Sequence, residues 1–164
     1  NLEDVEKLYY NLDQKLAYIT QTTLSVLDTQ EIVDALKLKF PSILEPKKSD
    51  ICYATSNRQE SVQEMATKVD AIYVIGAFNS SNSIRLVETA KRFGCKHSEL
   101  IENIHDFDFN KLSEYNKIGL TASASAPEEQ LDLFIKKAES LYSLKVFDYK
   151  EDENIVFKVP NFLN

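Results

Sequence analysis

The sequence predicts an α/β fold, with parallel strands flanked by helices. Three observations carry that expectation. Short apolar runs of strand type alternate with segments of helical periodicity. One run, Ala71-Ile-Tyr-Val-Ile-Gly76, is apolar over the length of a single buried strand. Loops rich in Ser, Thr and Asn fall at the ends of the strands, which is where open α/β sheets bind ligands.

Taken in order, Asp4 to Tyr10 predicts a short helix with Asp4 near its start, and Leu16-Ala-Tyr-Ile19 a short strand. The polar turn Thr20-Gln-Thr-Thr-Leu-Ser25 follows. Asp28 or Thr29 can then cap a helix carrying Ile32, Val33, Leu36 and Phe40 at helical spacing, ended by Pro41. Ser42 to Asp50, with its proline and the solvated Lys47-Lys48 pair, is the expected domain boundary. Asp50-Ile-Cys-Tyr-Ala-Thr55 predicts a strand running into a loop, and Asn57 to Val69 a helix with Val62, Met65, Ala66 and Val69 on one face. After the strand ending at Gly76 come the loop Asn79-Ser-Ser-Asn-Ser83 and a helix with Leu86, Val87 and Ala90, closed by Gly94. Ser98 to Ile101 and Lys117 to Thr121 predict two more strands. The loop Ala122 to Pro127, with Pro127 in a first helical turn, leads into a helix from Glu128 to Leu141. Lys145 to Tyr149 and Ile155 to Val159 are strand-like, without a position that pattern alone assigns.

The chain has 164 residues and a formal charge of -7. An acidic balance argues against a sequence-independent grip on nucleic acid. No apolar run reaches the roughly 18 residues that a membrane span needs. The acidic, amphipathic start lacks the basic and apolar regions of a signal peptide, and it lacks Met, so the chain reads as beginning inside a longer protein or as processed. The two cysteines, Cys52 and Cys95, read as free thiols of a reducing compartment.

The loop Asn79-Ser-Ser-Asn-Ser83 joins a buried strand to a helix start, where unpaired N–H groups and the helix dipole favour an anion. A cap needs one such residue, so five in a row read either as a cap or as an anion cradle. Thr121-Ala-Ser-Ala-Ser-Ala-Pro127 repeats the layout, with Ser125 as cap or ligand. Cys52 reads as a buried thiol by base rate, or as a nucleophile or metal ligand by its place beside these loops. Cys95 reads as a bystander, and His97 and His105 as surface residues.

At these loops the sequence resembles the LytB/IspH family of 4-hydroxy-3-methylbut-2-enyl diphosphate reductases. The matching segments are TQTTLS (20–25), DICYAT and NRQE (50–60), NSSNS (79–83), ASAP (124–127) and ENIVFKVP (153–160). The resemblance implies three similar α/β domains around a central iron–sulfur cluster and substrate. It divides this chain into the latter part of the second domain (1–48), the third domain (49–142) and a C-terminal tail (143–164). It makes Cys52 the last of three cysteine ligands to a 4Fe-4S cluster, or a 3Fe-4S cluster without substrate. Ser80, Ser81, Asn82 and Ser125 match residues that hold the substrate diphosphate, and Thr22 matches a catalytic threonine beside the substrate hydroxyl.

The implied reaction is reductive dehydroxylation to isopentenyl and dimethylallyl diphosphate in the non-mevalonate isoprenoid pathway. The implied electron donor is a ferredoxin or flavodoxin, and the implied compartment is bacterial cytoplasm or a plastid-type stroma. The other two cluster cysteines, the diphosphate-binding histidines and the catalytic glutamate belong to the family's N-terminal half, which this chain lacks, so the chain is expected to be inactive alone. Two positions depart from the family: Ser123 stands where Gly is common, and Ala77-Phe78 replaces a more polar pair. A cluster-free diphosphate-binding module is the main alternative, and a hydrolase using Cys52 as nucleophile is a third reading, for which neither histidine lies near a ligand loop.

Overall fold

A computed structural model describes residues 1–10, 15–24, 26–46 and 51–147. The elements run α1 (Leu2–Lys7), α2 (Val26–Lys39), α3 (Tyr53–Ala66), β1 (Ala71–Ile75), α4 (Ser81–Arg92) and β2 (His97–Ile101). Two 3-10 turns (Ile104–Asp106 and Phe109–Glu114), β3 (Ile118–Ala122) and α5 (Glu128–Leu141) complete them. The three strands form one parallel sheet in the order β2-β1-β3. Ile75 lies opposite both Ile101 and Ala122, so all three strands finish at the same edge.

The central strand is buried throughout because both its faces are covered. Side chains alternate across a strand. Ile72 and Val74 therefore meet Val62 and Ala66 of α3 and Leu86 and Ala90 of α4 on one face. Ala71, Tyr73 and Ile75 meet Phe109, Leu112, Phe134 and Ala138 on the other. Each fully buried aliphatic or aromatic side chain here is worth about 1.5–3 kcal/mol relative to exposure. The Asp70 carboxylate accepts from the backbone N–H groups of Asn116 and Lys117, at 3.1 and 2.9 Å, and so aligns the starts of β1 and β3. Gly94, with φ of +93°, ends α4 in the left-handed conformation expected of it.

The α3 helix leads into β1 through the short connection 67–70, so it runs antiparallel to the strand. Its first turn consequently lies at the edge where the strands end.

Several local expectations give way. The strand expected over 50–55 does not form in its described residues, 51–55: Cys52 is the N-cap of α3, which starts at Tyr53, earlier than periodicity suggested, and ends at Ala66. Leu16 to Ile19 forms no regular strand, only an isolated parallel bridge between Ala17 and Leu44. In both places short apolar runs mimic strand pattern without having a sheet to join. The first helix is Leu2–Lys7, capped by Asn1 instead of starting near Asp4. Asp28 and Thr29 lie inside α2, not at its cap. Pro127 is the N-cap of α5 and not its first-turn residue. The strand-like segment at 145 has no regular structure through Phe147, and the expectations for 148–164, including ENIVFKVP, lie outside the described residues.

Candidate functional site

The α4 helix begins with Ser80 as its N-cap, the Oγ accepting from the N–H of Ser83 at 3.3 Å. That bond uses a lone pair of the hydroxyl and leaves its proton free to donate. Ser80 also uses its carbonyl, which accepts from the N–H of Ile84 at 3.1 Å. The N–H groups of Ser81 and Asn82 are thus left at the helix start, where intrahelical partners are missing by geometry. No acidic residue occupies this first turn. The start of α5 differs, since Glu128 and Glu129 already neutralise its positive end. Of the two helix starts, α4 is the one prepared for an anion.

Asn82 gives the sharpest sign. It is only 5% exposed, and both polar atoms of its carboxamide lack a hydrogen-bond partner among the described residues. Buried polar groups are nearly always paired, because an unmade bond carries the full desolvation cost. Ser81 is exposed. Ser125 is exposed too, and α5 has no side-chain cap, so Ser125 does not serve as the cap that its position first suggested. β1 and β3 are neighbours in the sheet, and the loops carrying Ser80 and Ser125 leave it side by side.

Cys52 and Thr22 are brought together. The Cys52 N–H donates to the Thr22 carbonyl at 3.0 Å. A second bond fixes the same loop: the amide of Gln59, a residue 2% exposed, donates from α3 to the Leu24 carbonyl at 3.1 Å. The loop carrying Thr22 is therefore fastened to the first turns of α3 on either side of Thr23. Sequence reasoning passed over Gln59, although a buried polar residue facing an isolated loop is the kind of signal that marks such a fastening. Cys52 is an exposed free thiol, not the buried one that base rate favours. It stands at a helix start with no acidic residue in the first turn. Cys95 is buried, its Sγ donating to the His97 carbonyl at 3.0 Å, and burial pushes its thiol up from the ordinary range. His97 pairs with Glu99 at the opposite edge of the sheet.

Among the described residues no group of three His, Cys, Asp or Glu could hold a metal ion. A thiolate-bound cluster takes three or four such ligands. The described residues therefore fit one corner of a cluster through Cys52 and cannot hold a cluster by themselves. Among the same residues no helix is long and apolar enough to cross a membrane.

Comparison with known proteins adds three findings. A family model described as "LytB protein" matches residues 1–139. The 4-hydroxy-3-methylbut-2-enyl diphosphate reductases of Roseobacter denitrificans and Proteus mirabilis are 48% and 45% identical to this chain over 98% of its length. The chain spans about half the length of these relatives, 51% of each. The solved E-1-hydroxy-2-methyl-but-2-enyl-4-diphosphate reductase of Plasmodium falciparum superposes with a TM-score of 0.84 at 40% identity, covering 99% of this chain and 52% of that one.

Proposed function

The chain belongs to the LytB protein family, and from that premise we propose that it supplies one cluster ligand and part of the diphosphate site of a 4-hydroxy-3-methylbut-2-enyl diphosphate reductase. The unpartnered, buried carboxamide of Asn82 at an anion-ready helix start carries this reading. In it, Ser80, Ser81, Asn82 and Ser125 hold the diphosphate through neutral donors, with the Ser81 and Asn82 N–H groups adding the helix start. Cys52 is one thiolate ligand of an iron–sulfur cluster of the 4Fe-4S type, or 3Fe-4S without substrate, and chain beyond these residues supplies the others. When bound, such a cluster would supply the two electrons that the loss of an allylic hydroxyl requires. Overall, one substrate, two electrons and two protons give one allylic or homoallylic diphosphate and one water. Thr22, fixed beside Cys52 by the backbone bond between them, orients the substrate hydroxyl with its own side-chain hydroxyl.

The same reading divides the chain at 48/49 and 142/143, into the latter part of one α/β domain, the whole of a similar one, and a tail. It makes the family's N-terminal half and an electron donor such as ferredoxin or flavodoxin the partners. It also places the protein in bacterial cytoplasm or plastid-type stroma.

The test is binding of inorganic diphosphate to the complete protein by calorimetry. Asn82→Ala is expected to weaken it by about 1–3 kcal/mol, the cost of a lost buried hydrogen bond. Unchanged affinity would return Asn82 to a structural role. Anaerobic reconstitution tests the cluster: visible absorption that disappears in Cys52→Ser, together with substrate turnover, supports the enzyme. A colourless protein that still binds diphosphate supports the cluster-free module instead.

A further inference from the structure

The backbone around Gly76 is fully engaged. The Gly76 N–H donates to the Ile101 carbonyl at 3.0 Å, and the Ser123 N–H donates to the Ile75 carbonyl at 2.8 Å. The ends of all three strands are thereby bonded together. The side chains at this point are not engaged in the same way. A Cβ at residue 76 would overlap the Ser83 hydroxyl and stand 2.9 Å from the Ser123 Oγ. Two hydroxyls from different elements thus fill the space that any side chain at 76 would need. Ser83 sits in the first turn of α4, and Ser123 directly follows β3. They are 0% and 1% exposed, and neither Oγ has a hydrogen-bond partner among the described residues.

Folding alone gives no reason for these hydroxyls. Replacing a buried, unpaired hydroxyl by an apolar group of similar shape is neutral or stabilising. We propose that Ser83 and Ser123, meeting over Gly76, form a hydroxyl junction that sets the spacing of the two diphosphate-holding loops, making them positioning residues for that ligand. The inference rests on the diphosphate reading of Asn82 and its neighbours. One loop carries Ser80, Ser81 and Asn82 and the other carries Ser125. The junction is the point at which side chains from α4 and from the β3–α5 loop converge. Gly76 is required there because only the absence of a Cβ leaves both hydroxyls their place.

The complete protein, with inorganic diphosphate as probe, tests this by calorimetry and thermal unfolding. Ser83→Ala and Ser123→Ala are each expected to weaken binding about threefold to tenfold, less than the roughly hundredfold that a 1 Å misplacement of a site can cost, with Tm unchanged or raised. Because they act at one point, the double variant should lose less than the product of the single losses. Gly76→Ala should weaken binding at least as much as either. If both serine variants bind as tightly as the parent while Asn82→Ala weakens binding, the junction is overturned and the diphosphate reading stands. Lowered Tm with unchanged affinity, or single losses that simply multiply, also overturns it. Unchanged binding in Asn82→Ala overturns the diphosphate reading and the junction with it.

Discussion

At the edge where the strands begin, Asp70 and Cys95 each meet a partner, as does Glu99 at mid-strand, whereas at the edge where the strands end, Asn82, Ser83 and Ser123 meet none among the described residues. Asp70 holds two backbone N–H groups, and Glu99 accepts from Lys111 at 2.9 Å and faces His97 at 3.3 Å. Tyr73, opposite Glu99 at the middle of β1, is the exception to this pairing. Its hydroxyl is buried without a partner among the described residues, and burial drives its ionisation far above the ordinary phenol range. The ring explains its place, since it packs edge-on against Phe107 at 5.1 Å and beside Phe134. No such packing accounts for two serines and an asparagine. One edge has its polar groups matched to each other, as folding stability demands. At the other, the Phe78 N–H is taken by the Glu102 carboxylate at 3.0 Å, but the buried side chains of Asn82, Ser83 and Ser123 stay unmatched among the described residues.

The largest effect should come from breaking the core that packs on one face of the sheet. Phe134→Ala opens the aromatic cluster of Tyr73, Phe107 and Phe109 and is expected to cost about 3–5 kcal/mol in urea unfolding. The diphosphate affinity of the folded fraction should not move. A parallel fall in affinity would show that this core and the edge where the strands end are not independent.

A smaller effect concerns Glu99. Burial pushes its carboxyl up, but the hydrogen bonds from Lys111 and His97 outweigh burial and hold it below the ordinary carboxylate range. A depressed folded value means that its contribution is present above the unfolded value, about 4.3, and is lost as pH falls through the folded one. Glu99→Gln should therefore lower stability near neutral pH by less than about 1 kcal/mol, as half-exposed ion pairs do. The deficit should fade on the acid limb below about pH 4.3. A deficit that persists at acid pH would mean that the loss is one of packing.

The smallest effect changes reactivity alone. In the metal-free protein iodoacetamide should label the exposed Cys52 first and reach the buried Cys95 only on unfolding, as read by peptide mass. Equal labelling would remove the contrast between the two thiols.

Much of this was legible beforehand. The continuous apolar run Ala71–Gly76 foretold a buried strand, and the segment 128–141 foretold α5 with the bounds that it has. The loop 79–83 stood out through composition as a candidate anion cradle, because a run of five small polar residues exceeds what one cap needs. Reading failed at 16–19 and 50–55, where a short apolar run has the same pattern whether it joins a sheet, bridges once, or leads into a helix. Gln59 and Ser83 lay within segments already singled out, but nothing local marked either as the buried member of its segment.

What the sequence by itself determined is what periodicity and local chemistry encode: a parallel α/β unit, the helix starts, and the residue types gathered at them. The tertiary structure alone decided which of those polar groups are spent. Ser80 uses a lone pair on a cap and keeps its proton, Gln59 is committed to the Leu24 carbonyl, and among the described residues Asn82 finds no partner, nor do Ser83 and Ser123 beside Gly76. Pairing depends on atoms brought together from distant parts of the chain, and no local pattern can record whether such a meeting satisfies a group or leaves it waiting.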